Sequence, residues 1–193
     1  MPMGEMIQRK GRSGRMKNTR KGRSKLIFVL GGAASGKSQA ALELAGQKGP
    51  KAFVATGEAL DREMAARIKR HRTTRPTDWI TAEVPSDIAE WFSKNKSNYQ
   101  TIVLDCLTLW LSNLHGRGFS NLAITNATED LLLAIRATQA RVVIVSNELG
   151  LGLVPATKAV RAFRDLAGRV NQQVAAEADE VYLTISGLPL RLK

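Results

Sequence analysis

The chain has 193 residues, 44% of them hydrophobic, enough to bury one well-formed core, so one domain is expected. Its formal net charge is +12, but nine basic side chains against Glu5 fall within residues 1–25, so most of the excess sits in one segment. Cys106 is the only cysteine, which excludes an internal disulfide and fits a reducing cytoplasm, and no apolar stretch approaches the roughly 18 residues of a membrane span.

Residues 1–24 are rich in Gly, Ser, Lys and Arg with few apolar side chains, a composition that predicts a disordered basic tail. Such charge suits a nucleic-acid arm. No aromatic or base-reading pattern accompanies it, so a solvated extension is the favoured reading, with Met16 as an alternative start. The tail followed by Leu26–Leu30 has the outline of a secretory leader, yet the apolar part is short and runs into a glycine loop rather than a cleavage site.

Leu26–Leu30 reads as a buried strand, and Gln39–Ala45 as a helix. Between them Gly31, Gly32, Ala33, Ala34, Ser35, Gly36, Lys37 and Ser38 fit G-x-x-x-x-G-K-[ST] at every fixed position. Strand, glycine loop and helix together make a phosphate-binding loop rather than a chance match. Its amides and the helix N-terminus point at an anion. In such a loop the lysine, Lys37, reaches the β- and γ-phosphates and the hydroxyl, Ser38, ligates Mg²⁺. The chain is therefore expected to use a nucleoside triphosphate.

Gly49-Pro50 breaks the chain, and Ala52–Ala55 reads as the next strand, reached by a right-handed parallel crossover. Thr56, Gly57 and Glu58 follow at its C-terminal end, the edge at which open parallel sheets bind ligands. Asp61–Thr74 is a helix capped by Asp61 and stopped by Pro76, with Met64, Ala65 and Ile68 as its expected buried face. Its other face carries His71 among Arg67, Lys69, Arg70, Arg72 and Arg75. Like charges disfavour imidazolium, so His71 is expected to be neutral and able to attack phosphorus.

Asp78–Val84 reads as a short strand and Pro85–Ser93 as a helix. Thr101–Asp105 is a buried strand ending in an acid, the form of a second nucleotide-site motif whose carboxylate, here Asp105, holds Mg²⁺. Cys106–Leu114 and Asn121–Ala140 read as helices, and Arg141–Ser146 as another buried strand. The loop from Asn147 to Pro155, with Gly150 and Gly152, suggests a substrate loop at the same edge. A basic helix over Ala156–Ala178 and strands at Glu180–Ser186 and Leu188–Leu192 complete an α/β domain with a mainly parallel sheet.

The assembled stretches resemble the bifunctional adenosylcobinamide kinase / adenosylcobinamide-phosphate guanylyltransferase family of cobalamin assembly. They are the glycine loop, Glu63–Ile68 with His71-Arg72 and Arg75-Pro76, Asp105–Thr108, Asn147–Gly152 with Val154-Pro155, and Phe163-Arg164-Asp165 with Ala167–Gln172. The resemblance covers Lys25 to Lys193 and says nothing about residues 1–24. It implies a P-loop, RecA-like sheet flanked by helices, assembled as a homotrimer. It also implies two reactions: phosphorylation of the aminopropanol hydroxyl of adenosylcobinamide by ATP or GTP, then transfer of GMP from GTP through a guanylyl-histidine, giving adenosylcobinamide-GDP. By its place in the histidine helix, the guanylylated residue is His71. The matching nucleotide contacts are the glycine loop, Thr56, Gly57, Glu58, Arg72, Thr73, Thr74, Arg75, Glu83 and Asp105, with Mg²⁺ on Ser38 and Asp105. Two other readings use the same residues: a simpler P-loop small-molecule kinase with a structural His71, and a nucleic-acid-binding ATPase that employs the tail. Because the charge lacks a base-reading pattern, nucleic acid is the less favoured partner.

Overall fold

Successive residues of a strand face opposite sides of its sheet, and here both sides are covered, which is why the apolar runs are continuous rather than alternating. The computed structural model describes residues 24–73 and 75–193; the disorder expected of residues 1–23 and the contact expected of Thr74 lie outside the described residues. In chain order the elements are β1 (Lys25–Gly31), α1 (Lys37–Ala45), β2 (Lys51–Ala55), α2 (Arg62–Thr73), β3 (Trp79–Glu83), α3 (Ile88–Lys94), β4 (Thr101–Asp105), α4 (Leu107–Gly116), α5 (Asn121–Arg136), β5 (Arg141–Asn147), α6 (Lys158–Glu177), β6 (Glu180–Ile185) and β7 (Leu188–Arg191). They build one seven-stranded sheet in the order β3-β2-β4-β5-β1-β6-β7. Every pairing is parallel except β6 with β7, so the expected mainly parallel P-loop architecture is the one observed.

One sheet face carries Leu26, Phe28, Ile102, Leu104, Val142 and Ile144, packed on Phe92, Trp110, Leu131, Ile135, Val170 and Val174 from α3, α4, α5 and α6. Trp110 satisfies its buried indole by donating Nε1–H to the Ser86 carbonyl at 2.6 Å. The opposite face, with Ile27, Val29, Val103, Val143 and Val145, is covered by α1 through Ala41 and Ala45. Small side chains let that helix lie close to the strands it follows.

Element ends differ from the sequence reading where local hydrogen bonds intervene. The helix expected to run to Ala140 stops at Arg136, where Thr138 Oγ1 turns back to the Ile135 carbonyl at 2.8 Å. The helix expected from Ala156 starts at Lys158, because Thr157 caps it by accepting from the Val160 amide. Ser24, assigned to the tail by sequence, is buried, and its carbonyl accepts from Arg136. The last two strands form a hairpin through Ser186 and Gly187, both at positive φ (51° and 83°), as a two-residue turn of this twist requires. Pro189 sits on the outermost strand, where its missing N–H costs no ladder bond. No helix among the described residues is long and apolar enough to cross a membrane.

The largest departure concerns α2. It buries none of its described residues; Met64 and Ile68 are half-buried and Ala65 is exposed. The helix lies over the C-terminal edge of the sheet instead of packing on a face. Met64, Ile68, His71 and Arg75 recur at helical spacing and line one cavity, so the histidine shares a face with the apolar pair rather than opposing it.

Candidate active site

Strand register sets the site. Glu83 pairs with Ala55, and Ala55 with Asp105, so the tips of β3, β2 and β4 form one row. On the other side Gly31 stands between Asn147 of β5 and Thr184 of β6. The glycine loop leaves this edge and turns into α1. Gly36 takes φ +87° at the helix start, a conformation costly for any residue with a Cβ. A Cβ there would stand 2.9 Å from Gly187 Cα, and the Gly187 amide donates to the Ser35 carbonyl at 2.8 Å. The turn of the β6–β7 hairpin thus braces the phosphate loop from behind.

Lys37 is buried to 8% exposure and folds over the loop, its Nζ donating to the Gly32 carbonyl at 2.9 Å. Burial lowers its pKa and the nearby Asp105 carboxylate pulls it back up, so the charge is held by its neighbour. Ser38 and Asp105, both half-buried, line the same space. A hydroxyl and a carboxylate are hard oxygen donors, and Mg²⁺ is commonly held by one or two such ligands plus substrate phosphates. Among the described residues no group of three or more His, Cys, Asp or Glu could form an all-protein cage, so a metal here would need that phosphate share.

Two cavities meet at this point. One lies over the loop and the start of α1 and includes Ser35, Gly36, Gln39 and Phe53. The other lies between α2 and the strand tips and includes Gly57, Met64, Ile68, Arg72, Glu83 and Asn147. Lys37, Ser38, Arg67, His71, Arg75 and Asp105 line both. His71 therefore stands on the boundary between the phosphate loop and the α2 cleft.

The cations around it are positioned individually. The Arg75 guanidinium lies 3.8 Å from the centroid of the Phe53 ring and donates to Thr81 Oγ1 at 3.2 Å. Such stacking is worth about 1–2 kcal/mol when partly desolvated. Burial lowers the Arg75 pKa, and Asp105 opposes that shift. Arg72 pairs with Glu83 at 3.0 Å; both are well exposed, so the pair aims Arg72 more than it stabilises the fold.

The remaining candidates divide. Gly57 lines the α2 cleft, but Thr56 and Glu58 line neither cavity. Thr56 is fully buried; its hydroxyl donates to the Cys106 carbonyl at 2.7 Å and accepts from the Cys106 amide, which locks the β2 tip to the start of α4. Glu58 is paired with Arg117 at 2.6 Å. Thr73 is exposed and bonded to the Arg70 carbonyl. Gly31 holds the loop through its backbone, while Gly32, Ala33 and Ala34 form its exposed crest, with Ala34 at φ 55°. His115 lines neither cavity and lies against Phe163 at 6.2 Å.

Several lining residues were not expected as site residues, among them Phe53 and Arg67 and, in the α2 cleft, Cys106, Leu109 and Asn147. Cys106 and Leu109 reach the cleft from the start of α4. Burial pushes the Cys106 thiol up to about 12, with Asp105 adding to the shift, so it is a neutral wall and not a nucleophile. Asn147 had been placed only in a general substrate loop. Its backbone is fixed by Thr108 Oγ1 (2.8 Å) and Asn171 Nδ2 (3.1 Å), and Ser146 joins those two side chains.

Comparison with known proteins adds independent findings. The model of the family CobU, described as cobinamide kinase / cobinamide phosphate guanyltransferase, matches residues 27–192. Two relatives named bifunctional adenosylcobalamin biosynthesis protein CobU are 39% identical (Escherichia coli K12) and 40% identical (Salmonella typhimurium LT2) over 180 residues, 87% of this chain and 99% of each relative. Among solved structures, the flagellar accessory protein FlaH of Methanocaldococcus jannaschii aligns with a TM-score of 0.50 at 13% identity, over 89% of this chain and 79% of that one, a likeness of fold alone.

Proposed function

We infer the residue roles that follow from one premise: the chain belongs to the cobinamide kinase / cobinamide phosphate guanyltransferase family. It is accordingly a bifunctional enzyme, which phosphorylates cobinamide and then transfers a guanylyl group to the product. The supporting observation is that His71 lines both the phosphate-loop cavity and the α2 cleft, so one bound triphosphate can be addressed at either end.

In the kinase step the acceptor hydroxyl oxygen of adenosylcobinamide bonds to the γ-phosphorus of ATP or GTP, its proton passes to solvent, the bond to the β-phosphate oxygen breaks, and the nucleoside diphosphate leaves. The glycine loop and Lys37 hold the phosphates, and no protein nucleophile is needed. Mg²⁺ fits Ser38 and Asp105 and would neutralise phosphate charge when bound. In the transfer step a ring nitrogen of His71 bonds to the α-phosphorus of GTP and pyrophosphate departs. Lys37, Arg67 and Arg75 line the same space and offset the charge on that leaving group. The phosphate of the phosphorylated acceptor then displaces His71 and carries GMP away. Arg72, aimed by Glu83, and Gly57 bound the nucleotide in the α2 cleft. Residues 25–193 act as the catalytic domain of a cytoplasmic homotrimer.

The test is intact mass after incubation with GTP and Mg²⁺. Wild type should gain one GMP, and the adduct should vanish in mild acid as a phosphoramidate does. His71→Asn should gain none while still phosphorylating cobinamide with ATP. A plain small-molecule kinase would carry no adduct, and one that persisted in His71→Asn would move the nucleophile elsewhere.

A further inference from the structure

Phosphoryl chemistry leaves the stretch Phe163–Gln172 unexplained. Part of it, from Arg164 to Gln172, lines an open groove of about 550 Å³ between α6 and the loop leaving β5. Glu148, Arg164, Asp165, Arg169 and Gln172 line it, with Leu30, Leu149 and Ala175 as apolar floor.

This cavity borders the phosphate site along the chain. Leu30 lines it, and the next residue, Gly31, begins the glycine loop. Glu148 lines it, and the preceding residue, Asn147, lines the α2 cleft. The Glu148 amide donates to the Gly31 carbonyl at 3.1 Å, which fixes the loop leaving β5 to the start of the glycine loop. Asn171 spends its amide on Ser146 and Asn147, so it ties α6 to the β5 tip.

The lining argues for the kind of ligand. Two arginines are matched by two carboxylates, and Arg164 and Asp165 pair at 3.3 Å. An anion site would show a cation excess; a balanced set of donors and acceptors suits an uncharged ligand rich in primary amides. The cavity is also several times larger than a phosphate group needs. Just beyond Gly150 the loop exposes Leu151, Leu153 and Val154, an apolar rim.

We propose that this cavity seats the amide-bearing edge of the corrinoid acceptor and presents its hydroxyl arm to the phosphate loop. The proposal rests on the family reading above. A corrinoid carries peripheral acetamide and propionamide groups, and its acceptor hydroxyl hangs on an amide-linked arm. The groove's lining residues Leu30 and Glu148 are each followed or preceded in the chain by a residue of the phosphate site, so an acceptor seated here has its arm on the side of the glycine loop.

Gly168 supplies the test. It lies in α6 on the cavity, and a Cβ built on it meets no atom within 4 Å. Gly168→Ala should therefore fold as wild type does, whereas Gly168→Phe places a ring in the groove and obstructs it. With adenosylcobinamide as the probe, Gly168→Phe should raise its KM in the kinase reaction at least tenfold. The KM for ATP and the yield of GMP adduct from GTP should stay within twofold. If Gly168→Phe fails to fold, Gln172→Trp on the next turn carries the same expectation. An unchanged KM for adenosylcobinamide in the folded variant overturns the proposal while leaving the kinase intact. Loss of adduct and cobinamide phosphorylation in wild type would instead overturn the family reading, and this proposal with it.

Discussion

A methyl group added at Gly36 should unsettle the phosphate loop without touching any charged group. The residue sits at φ +87°, where an L-residue costs about 1–2 kcal/mol. Its new Cβ would also lie 2.9 Å from Gly187 Cα, a backbone atom that cannot rotate away. Overpacking of that kind costs about 1–3 kcal/mol. Together these predict a loss of about 2–5 kcal/mol, a large share of the roughly 5–15 kcal/mol that holds a domain of this size. Gly32→Ala is the control, because Gly32 is at ordinary φ and has nothing within 4 Å of its Cβ. It should cost no more than about 0.5 kcal/mol in the absence of nucleotide. Urea unfolding of both variants without GTP isolates the structural effect, and GTP affinity is then measured on the folded fractions. The reasoning fails if Gly36→Ala unfolds at the same urea concentration as Gly32→Ala, since neither the strained backbone nor the hairpin brace would then exist.

Lys37→Ala should lower turnover of both reactions by roughly 10²–10³-fold or more while leaving the unfolding midpoint close to wild type; normal turnover would remove Lys37 from the site. Asp105→Asn should lose Mg²⁺-dependent turnover and keep the fold. Asp105 raises the Lys37 pKa against burial, so its removal lets Lys37 lose its proton at lower pH, and the alkaline limb of residual activity should move to lower pH. An unfolded variant would make Asp105 structural instead. Cys106, buried and held neutral to about 12, should resist iodoacetamide at pH 8 until the protein is denatured; rapid native alkylation, read by mass, would contradict its packing.

Much of the site was legible because its chemistry is local. A glycine loop between a buried strand and a helix, and a strand that ends in Asp105, each declare themselves within ten residues. The α2 face was misread because helical periodicity marks apolar residues as inward-facing without saying whether inward means a core or a cleft. Met64 and Ile68 face the same cleft as His71, so the apolar stripe and the catalytic candidate coincide. Thr56 illustrates a different limit. A hydroxyl at a strand tip is open to a ligand until another segment claims it, and the claim comes from Cys106, 50 residues away. Asn147 enters the site only once β5 is placed beside β4 and β1, a matter of strand order that no local pattern encodes.

That strand order also bears on how the chain is made. β1 is synthesised early, yet its two neighbours are β5 at residues 141–147 and β6 at 180–185. While the chain is still emerging from a ribosome, the strand that carries the glycine loop has no lateral partner, and long-range pairings of this kind form slowly. β2 can pair with β3 and β4 beforehand, so half of the sheet can assemble while the nucleotide loop waits. Nucleotide affinity should therefore rise in two steps, when β5 closes on β1 and again when the β6–β7 hairpin braces the loop, and not in proportion to the length made. A chain ending near residue 175 holds β5 but lacks β6 and the hairpin turn whose Gly187 amide holds the loop at Ser35, so it would have the glycine loop without its brace.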